Sequence, residues 1–186
     1  MNKRPLDNLC LERCPIQKFH FYNKTLDSCI YDDSAERRRY YKYCSDSIEI
    51  DGLEGLFSKN LSMNCTMVNS VVIRNIPVDN TVDIIGRLFM IFEKIGDIRQ
   101  CLIIEDSPGI STLHFMPNLG EIRGKCKDFP NYSAVIRGNE NLHHFFMQGY
   151  KSKRGAILVQ NNSALCQDEI DMFMKQSEIK NGSSLQ

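Results

Sequence analysis

The side chains with the most chemistry to offer fall into a few groups. His143 and His144 are adjacent, and paired imidazoles bind a transition metal or act as a base when a carboxylate or thiolate completes the set. No such group stands at ligand spacing from them, and neighbours on a strand point to opposite faces, so a surface or packing role is expected. Cys10, Cys14, His20 and Cys29 could hold zinc, but their spacing fits no well-determined finger pattern. Arg37, Arg38 and Arg39 beside Tyr40, Tyr41 and Tyr43 could touch RNA or an anionic ligand; a solvated loop is the simpler reading. Glu140, Asp168 and Glu169 fall in polar turns or a first helical turn, where negative charge complements the helix dipole. The chain holds no His-Glu-x-x-His, no glycine-rich phosphate loop and no Gly-x-Ser-x-Gly. No catalytic residue, metal or cofactor is expected.

The remaining candidates are cysteines and glycan acceptors. Eight cysteines in 186 residues exceed ordinary usage. Asn-x-Ser/Thr begins at Asn23, Asn60, Asn64, Asn131, Asn161 and Asn181, where composition alone gives about 1.5 by chance. The two excesses together read as an oxidised, glycosylated, extracellular segment. The start lacks the apolar core of a signal peptide and no apolar run is long enough to span a bilayer, so the sequence is expected to begin inside a longer chain. With 23 basic and 23 acidic side chains, nothing favours a nucleic-acid backbone as partner.

These residues need elements to position them. Residues 1–43 are irregular and poor in aliphatics, so their cysteines must hold them. From Cys44 the texture changes to short aliphatic runs broken by Asn, Gly, Pro and Asp, the pattern of short strands joined by turns. Strands are expected at Val71–Arg74, Cys101–Glu105, Ala134–Arg137 and Ala156–Gln160. Val82, Ile85, Leu88, Phe89, Phe92 and Ile95 fall at helical spacing after a cap at Asn80 or Thr81, and a second helix is expected over Asp168–Lys180. Phe89, Phe115, Phe145 and Phe146 are expected in the core. Three segments repeat one pattern: Ile104 to Ile110, Ile136 to Leu142 and Val159 to Leu165 each set an aliphatic residue six positions before another, with turn formers between. A strand, a polar turn and a returning apolar anchor describe a β-rich α/β fold, a right-handed parallel β-helix related to leucine-rich repeats, with short capping helices. The Asn or Asp of each turn would bond exposed backbone groups. An ordinary α/β sheet is the plainer alternative.

Cys101 and Cys126, 25 residues apart, would stand on adjacent strands about 5 Å apart, a separation that permits a disulfide. Cys44 and Cys65 enclose Ile48–Phe57, read as a short capping helix, and a bridge there would contribute about 3 kcal/mol. Among Cys10, Cys14 and Cys29 one cysteine is left over whichever pair forms, and Cys166 has no evident partner.

Cys10-x-x-x-Cys14-Pro, Cys29, Cys44 and Cys65-Thr-Met-Val-Asn-Ser-Val-Val-Ile73 resemble the end of a furin-like cysteine-rich region joined to the second receptor L domain of insulin-receptor-like receptors. Phe115-Met-Pro-Asn-Leu-Gly-Glu-Ile-Arg-Gly-Lys125, Asn131-Tyr-Ser, Asn139-Glu-Asn-Leu and Asn161-Asn-Ser-Ala-Leu-Cys166 are similar to later parts of that domain, which also occurs in stand-alone nematode proteins. The resemblance implies a furin-like remnant over 1–43, an L domain over 44–180 and a disordered tail over 181–186. It implies the pairs Cys14–Cys29 and Cys44–Cys65, with Cys10 bonded upstream and Cys166 downstream. It implies an extracellular ligand-recognition or structural module of a single-pass receptor, addressed by an insulin-like peptide through this or neighbouring domains. The parent would be a homodimer with an intracellular tyrosine kinase, and this segment would not touch the membrane. The alternatives are a secreted stand-alone L-domain protein acting as hormone decoy or receptor co-binder, and a cytosolic repeat adaptor with reduced cysteines. Family cysteines before Cys44 are replaced by the Arg-Tyr run, and Cys101 and Cys126 look like an addition.

Overall fold

Alternating burial writes the first long strand. In the computed structural model Ile48 and Ile50 are buried while Glu49 and Asp51 are exposed, the two-residue period of a strand with one face on a core. The structure describes residues 43–58, 65–145, 151–152 and 155–176, and four short segments nearer the N-terminus; of those four, 151–152 and 172–176 it describes the backbone alone. The chain divides into two compact units, Met1–Lys42 and Tyr43–Gln186.

In the first unit β1 (Arg4–Leu6) pairs antiparallel with β2 (Leu9–Leu11), and β3 (His20–Asn23) with β4 (Ser28–Tyr31). The irregular reading of this region overlooked both pairs, because three or four residues give too short a period to detect. Cys10 lies in β2 and Cys29 in β4. Their side chains, that of His20, Cys14 and the Arg37–Arg39 cluster lie outside the described residues.

The second unit holds two parallel sheets. The long sheet runs, in spatial order, β6 (Ile48–Asp51), β8 (Val71–Arg74), β10 (Leu102–Glu105), β12 (Tyr132–Arg137) and β14 (Ala156–Gln160). Every neighbouring pair is parallel. The short sheet contains β5 (Tyr43–Cys44), β7 (Met67–Val68), β9 (Asp97–Ile98), β11 (Glu121–Ile122) and β13 (Lys151–Ser152), again all parallel. The chain alternates between the sheets, adding one strand to each in turn. Val71, Ile73, Leu102, Ile104, Ala134 and Ile136 of the long sheet join Val68, Ile98 and Ile122 of the short one in a single core, where Phe92 packs on Phe115 with centroids 5.8 Å apart.

The turns explain how the strands stay aligned. The residue directly after each long strand, Gly52, Asn75, Asp106, Gly138 or Asn161, has a φ between 50° and 67°. That left-handed region is open chiefly to Gly, Asn and Asp. One position further on, a polar ladder runs through the stack. The Ile76 N–H donates to Ser107 Oγ at 3.2 Å, and the Ser107 N–H donates to Asn139 Oδ1 at 3.2 Å. The Asn139 N–H donates to Asn162 Oδ1 at 3.0 Å, and the Asn162 amide donates to the Ile136 carbonyl at 2.9 Å. Backbone groups that the turn would strand inside are thereby satisfied. The anchors Ile110 and Leu142 are fully buried, and Leu165 packs half-buried against the core.

Three helices are described: α1 (Gly52–Leu56), α2 (Ile84–Phe92) and α3 (Gln167–Gln176). Ile48–Phe57 is therefore not one capping helix, since its first half is β6. The cap of α2 is Asp83, whose carboxylate accepts the Gly86 N–H at 2.8 Å. Thr81 instead donates to Asp79. This start sets the phase of the helix, so Ile84, Leu88, Ile91 and Phe92 are buried, while Val82 and Ile85 are half-buried and Phe89 is 40% exposed. The expectation that Phe89 is core fails for that reason. Phe115 and Phe145 are buried; Phe146 lies outside the described residues.

Candidate recognition surface

The long sheet has a second face, turned away from the core. In register across it run Glu49, Val72, Ile103, Val135 and Leu158, and one step along run Asp51, Arg74, Glu105, Arg137 and Gln160. The first row is apolar except at its edge. Ile103 and Val135 are buried with Cys101 and Cys126 in a cluster separate from the main core, and Val72, Phe129, Tyr132 and Leu158 pack half-buried around them.

What covers this patch is the chain itself. Cys101, just before β10, is bonded to Cys126 with Cα atoms 4.8 Å apart. Cys126 is not on an adjacent strand, as the spacing argument has it, but in the connection leading to β12. The Cys126 N–H donates to the Tyr132 carbonyl at 2.7 Å and the Tyr132 N–H to the Phe129 carbonyl at 2.9 Å, folding the segment into a tight loop. The Arg137 guanidinium lies over the Phe129 ring, 5.1 Å from its centroid, a cation–π contact.

The second row alternates in charge. Glu105 is buried between Arg74 and Arg137, accepting from Arg137 Nε at 2.8 Å. Both arginines keep about two-fifths of their side chains in solvent. Half-exposed aromatics beside arginines on rigid strands have the make-up of an interaction hot spot. Sequence reasoning overlooked this surface; a signal was there in Val72, Ile103, Val135 and Leu158, each one residue before a core-facing position.

The other sequence candidates fall elsewhere. His143 and His144 are exposed, with ring centroids 6.5 Å apart. The fold does supply the carboxylate that spacing did not, since Glu169 in the first turn of α3 lies 3.7 Å from His144 Nδ1, and His114 stacks on His144 at 6.3 Å. Among the described residues no group of three or more His, Cys, Asp or Glu is placed to hold a metal ion. Asp168 and Glu169 occupy the first turn of α3, and Glu140 sits in a turn. Cys44 is bonded to Cys65, with Cα atoms 5.8 Å apart. Cys166 is exposed and carries no disulfide. Asn131 and Asn161 are exposed; Asn60, Asn64, Asn181 and the side chain of Asn23 lie outside the described residues. No helix among the described residues is long and apolar enough to cross a membrane.

Parallel sheets sharing one core, joined through left-handed turns and an asparagine ladder, agree with a comparison against protein families: the model for the receptor L domain matches residues 64–178. The chain belongs to the receptor L domain family. No curated protein matches it. The receptor L domain is an extracellular, non-catalytic binding module. In this L domain the loop pinned by Cys101–Cys126 shapes the outward sheet face.

Proposed function

We propose that this L domain is a ligand-recognition and structural module of an insulin-receptor-like ectodomain, following the end of a furin-like cysteine-rich region at residues 1–43. The alternate addition of strands to two parallel sheets supports reading residues 44–180 as a right-handed coil. The partner is an insulin-like peptide, met here or through neighbouring domains, and the parent receptor is a single-pass homodimer. The observation that carries the recognition role is the outward sheet face, where the half-buried Val72, Phe129, Tyr132 and Leu158 lie beside the row that holds Arg74 and Arg137. A peptide laid there buries aromatic and aliphatic surface without ordering a flexible loop, because strands and disulfide already hold it. The glycan acceptors Asn23, Asn60, Asn64, Asn131, Asn161 and Asn181, the Cys14–Cys29 pair and external partners for Cys10 and Cys166 belong to the same reading.

A secreted stand-alone L-domain protein that sequesters the peptide is the second reading, since the same face serves both. The coding sequence after Gln186 separates them: fibronectin-type strands, a spanning segment and a kinase would mark the receptor, an immediate stop the decoy. Surface plasmon resonance of insulin-like peptides on the secreted chain tests the recognition role. Phe129→Ala is expected to weaken binding at least tenfold, about 1.4 kcal/mol, with the fold retained by circular dichroism. Unchanged affinity would move the contact to another surface.

A further inference from the structure

Among the described residues the two outer strands of the long sheet are protected differently. At one edge β6 reads Ile-Glu-Ile-Asp and exposes Glu49 and Asp51, inward-or-outward charges of the kind that deter edge-to-edge pairing. At the other edge β14 reads Ala-Ile-Leu-Val-Gln, with no charge, no proline and half-exposed Ala156, Leu158 and Gln160. A five-residue parallel strand is about 17 Å of backbone, and an unblunted apolar edge of that length is a template for another chain. A shallow pocket lined by Val159, Gln160, Asn161, Leu165 and Ile170 adjoins its end.

Two acceptor sequons bracket this one strand. Asn161 directly follows β14, exposed and in the left-handed region at φ 54°. Asn131 precedes β12, and its carbonyl accepts the N–H of Ala156, the first residue of β14, at 3.0 Å. We propose that Asn131 and Asn161 are N-glycosylated and that their glycans guard the β14 edge against strand addition, doing at this end what Glu49 and Asp51 do at the other. This rests on the extracellular reading above. In the modification the side-chain Nδ2 attacks the anomeric carbon of a lipid-pyrophosphate-linked oligosaccharide. An N-glycosidic bond forms, the bond from that carbon to the phosphate oxygen breaks, one amide proton is released and the lipid pyrophosphate departs. For Asn131 the transfer precedes folding of this edge, because the sequon hydroxyl of Ser133 is fully buried and donates to the carbonyls of Gly155 and Ala156 at 3.2 and 3.3 Å.

The full chain secreted from a eukaryotic host gives the test. Peptide mass spectrometry should find both asparagines occupied and light scattering should find one stable mass. Asn161→Gly combined with Asn131→Gln removes both acceptors, and glycine keeps the left-handed turn unstrained. This variant should lose its monomer peak to higher oligomers as concentration rises, and trimming the glycans of the folded wild type with an endoglycosidase, which adds no charge, should shift it in the same direction. Adding Gln160→Lys to the double variant should restore the monomer, since a charge on the edge replaces the sugar. Bare Asn131 and Asn161 on a secreted, oxidised chain would overturn this proposal alone, as would a glycan-free monomer at all concentrations. A chain retained in the cytosol with reduced Cys44 and Cys65 would overturn the extracellular reading as well.

Discussion

The two faces of the long sheet are built from the same strands and held by different means. Inward, Leu102 and Ile104 belong to one core shared with the second sheet and with buried residues of three helices. Outward, one residue away, Ile103 belongs to a small cluster of Val72, Val135, Leu158, two bonded cysteines and a short loop. Packing secures most of the inner face, with the Cys44–Cys65 bond at one edge. The outer cluster is too small for that, and a covalent bond keeps its cover in place. The proposed recognition role suits the outer face, because a surface held by a loop and a disulfide can change its side chains without disturbing the stack.

The sharpest way to break this contrast is to truncate neighbouring residues on opposite faces. Ile104→Ala should destabilise by about 4 kcal/mol, and Ile103→Ala by about 2 kcal/mol, because a site near the surface relaxes or admits water where the central one leaves a cavity. Urea unfolding of both variants checks this; equal losses would mean that the outer cluster is as much a core as the inner. The next test compares the disulfides, which close loops of similar length, 21 and 25 residues. Replacing either pair by alanine should cost about 3 kcal/mol by chain entropy. Hydrogen exchange should separate them: loss of Cys101–Cys126 should raise exchange at residues 126–132 before the strands respond, while loss of Cys44–Cys65 should loosen β5 and β6, the strands at one edge of each sheet. The smallest effect is expected at Asp79, on neither face. Its carboxylate accepts from the Thr81 hydroxyl and backbone N–H, which hold its pKa below the ordinary value. A depressed folded value contributes stability that is present above the unfolded pKa of about 4 and lost as pH falls through the folded one. Asp79→Asn should therefore flatten the acid limb of the stability curve slightly and leave neutral pH almost unchanged, as thermal melts across pH 2–7 would show.

Much of the long sheet was legible. Val71–Arg74 and Ala156–Gln160 stand as strands with the boundaries that the residues suggested, and the turns after Ile104, Ile136 and Val159 return at Ile110, Leu142 and Leu165. The short sheet was not legible, because a two-residue strand such as Met67–Val68 carries no period at all. β6 was misread since Ile48 and Ile50, followed by Leu53 and Leu56, fit helical spacing as well as alternation; Gly52 at φ 63° is where one becomes the other. Of the candidate surface, the apolar row was in plain view, but nothing in the spacing of Phe129 and Tyr132 said that they fold back over it.

By itself the sequence determined most strands of the long sheet and the turns after them, because hydrophobic period and the conformations of glycine and asparagine are local properties. It also determined the family, since the motifs from Cys65 to Cys166 carry it. The tertiary structure alone decided which face is closed by what. Whether Cys126 lies on a strand or in a loop, whether Glu105 sits between two arginines, and whether Glu169 reaches His144 all depend on residues 25 to 32 positions apart meeting in register, and long-range register is fixed by the whole stack and not by any segment of it.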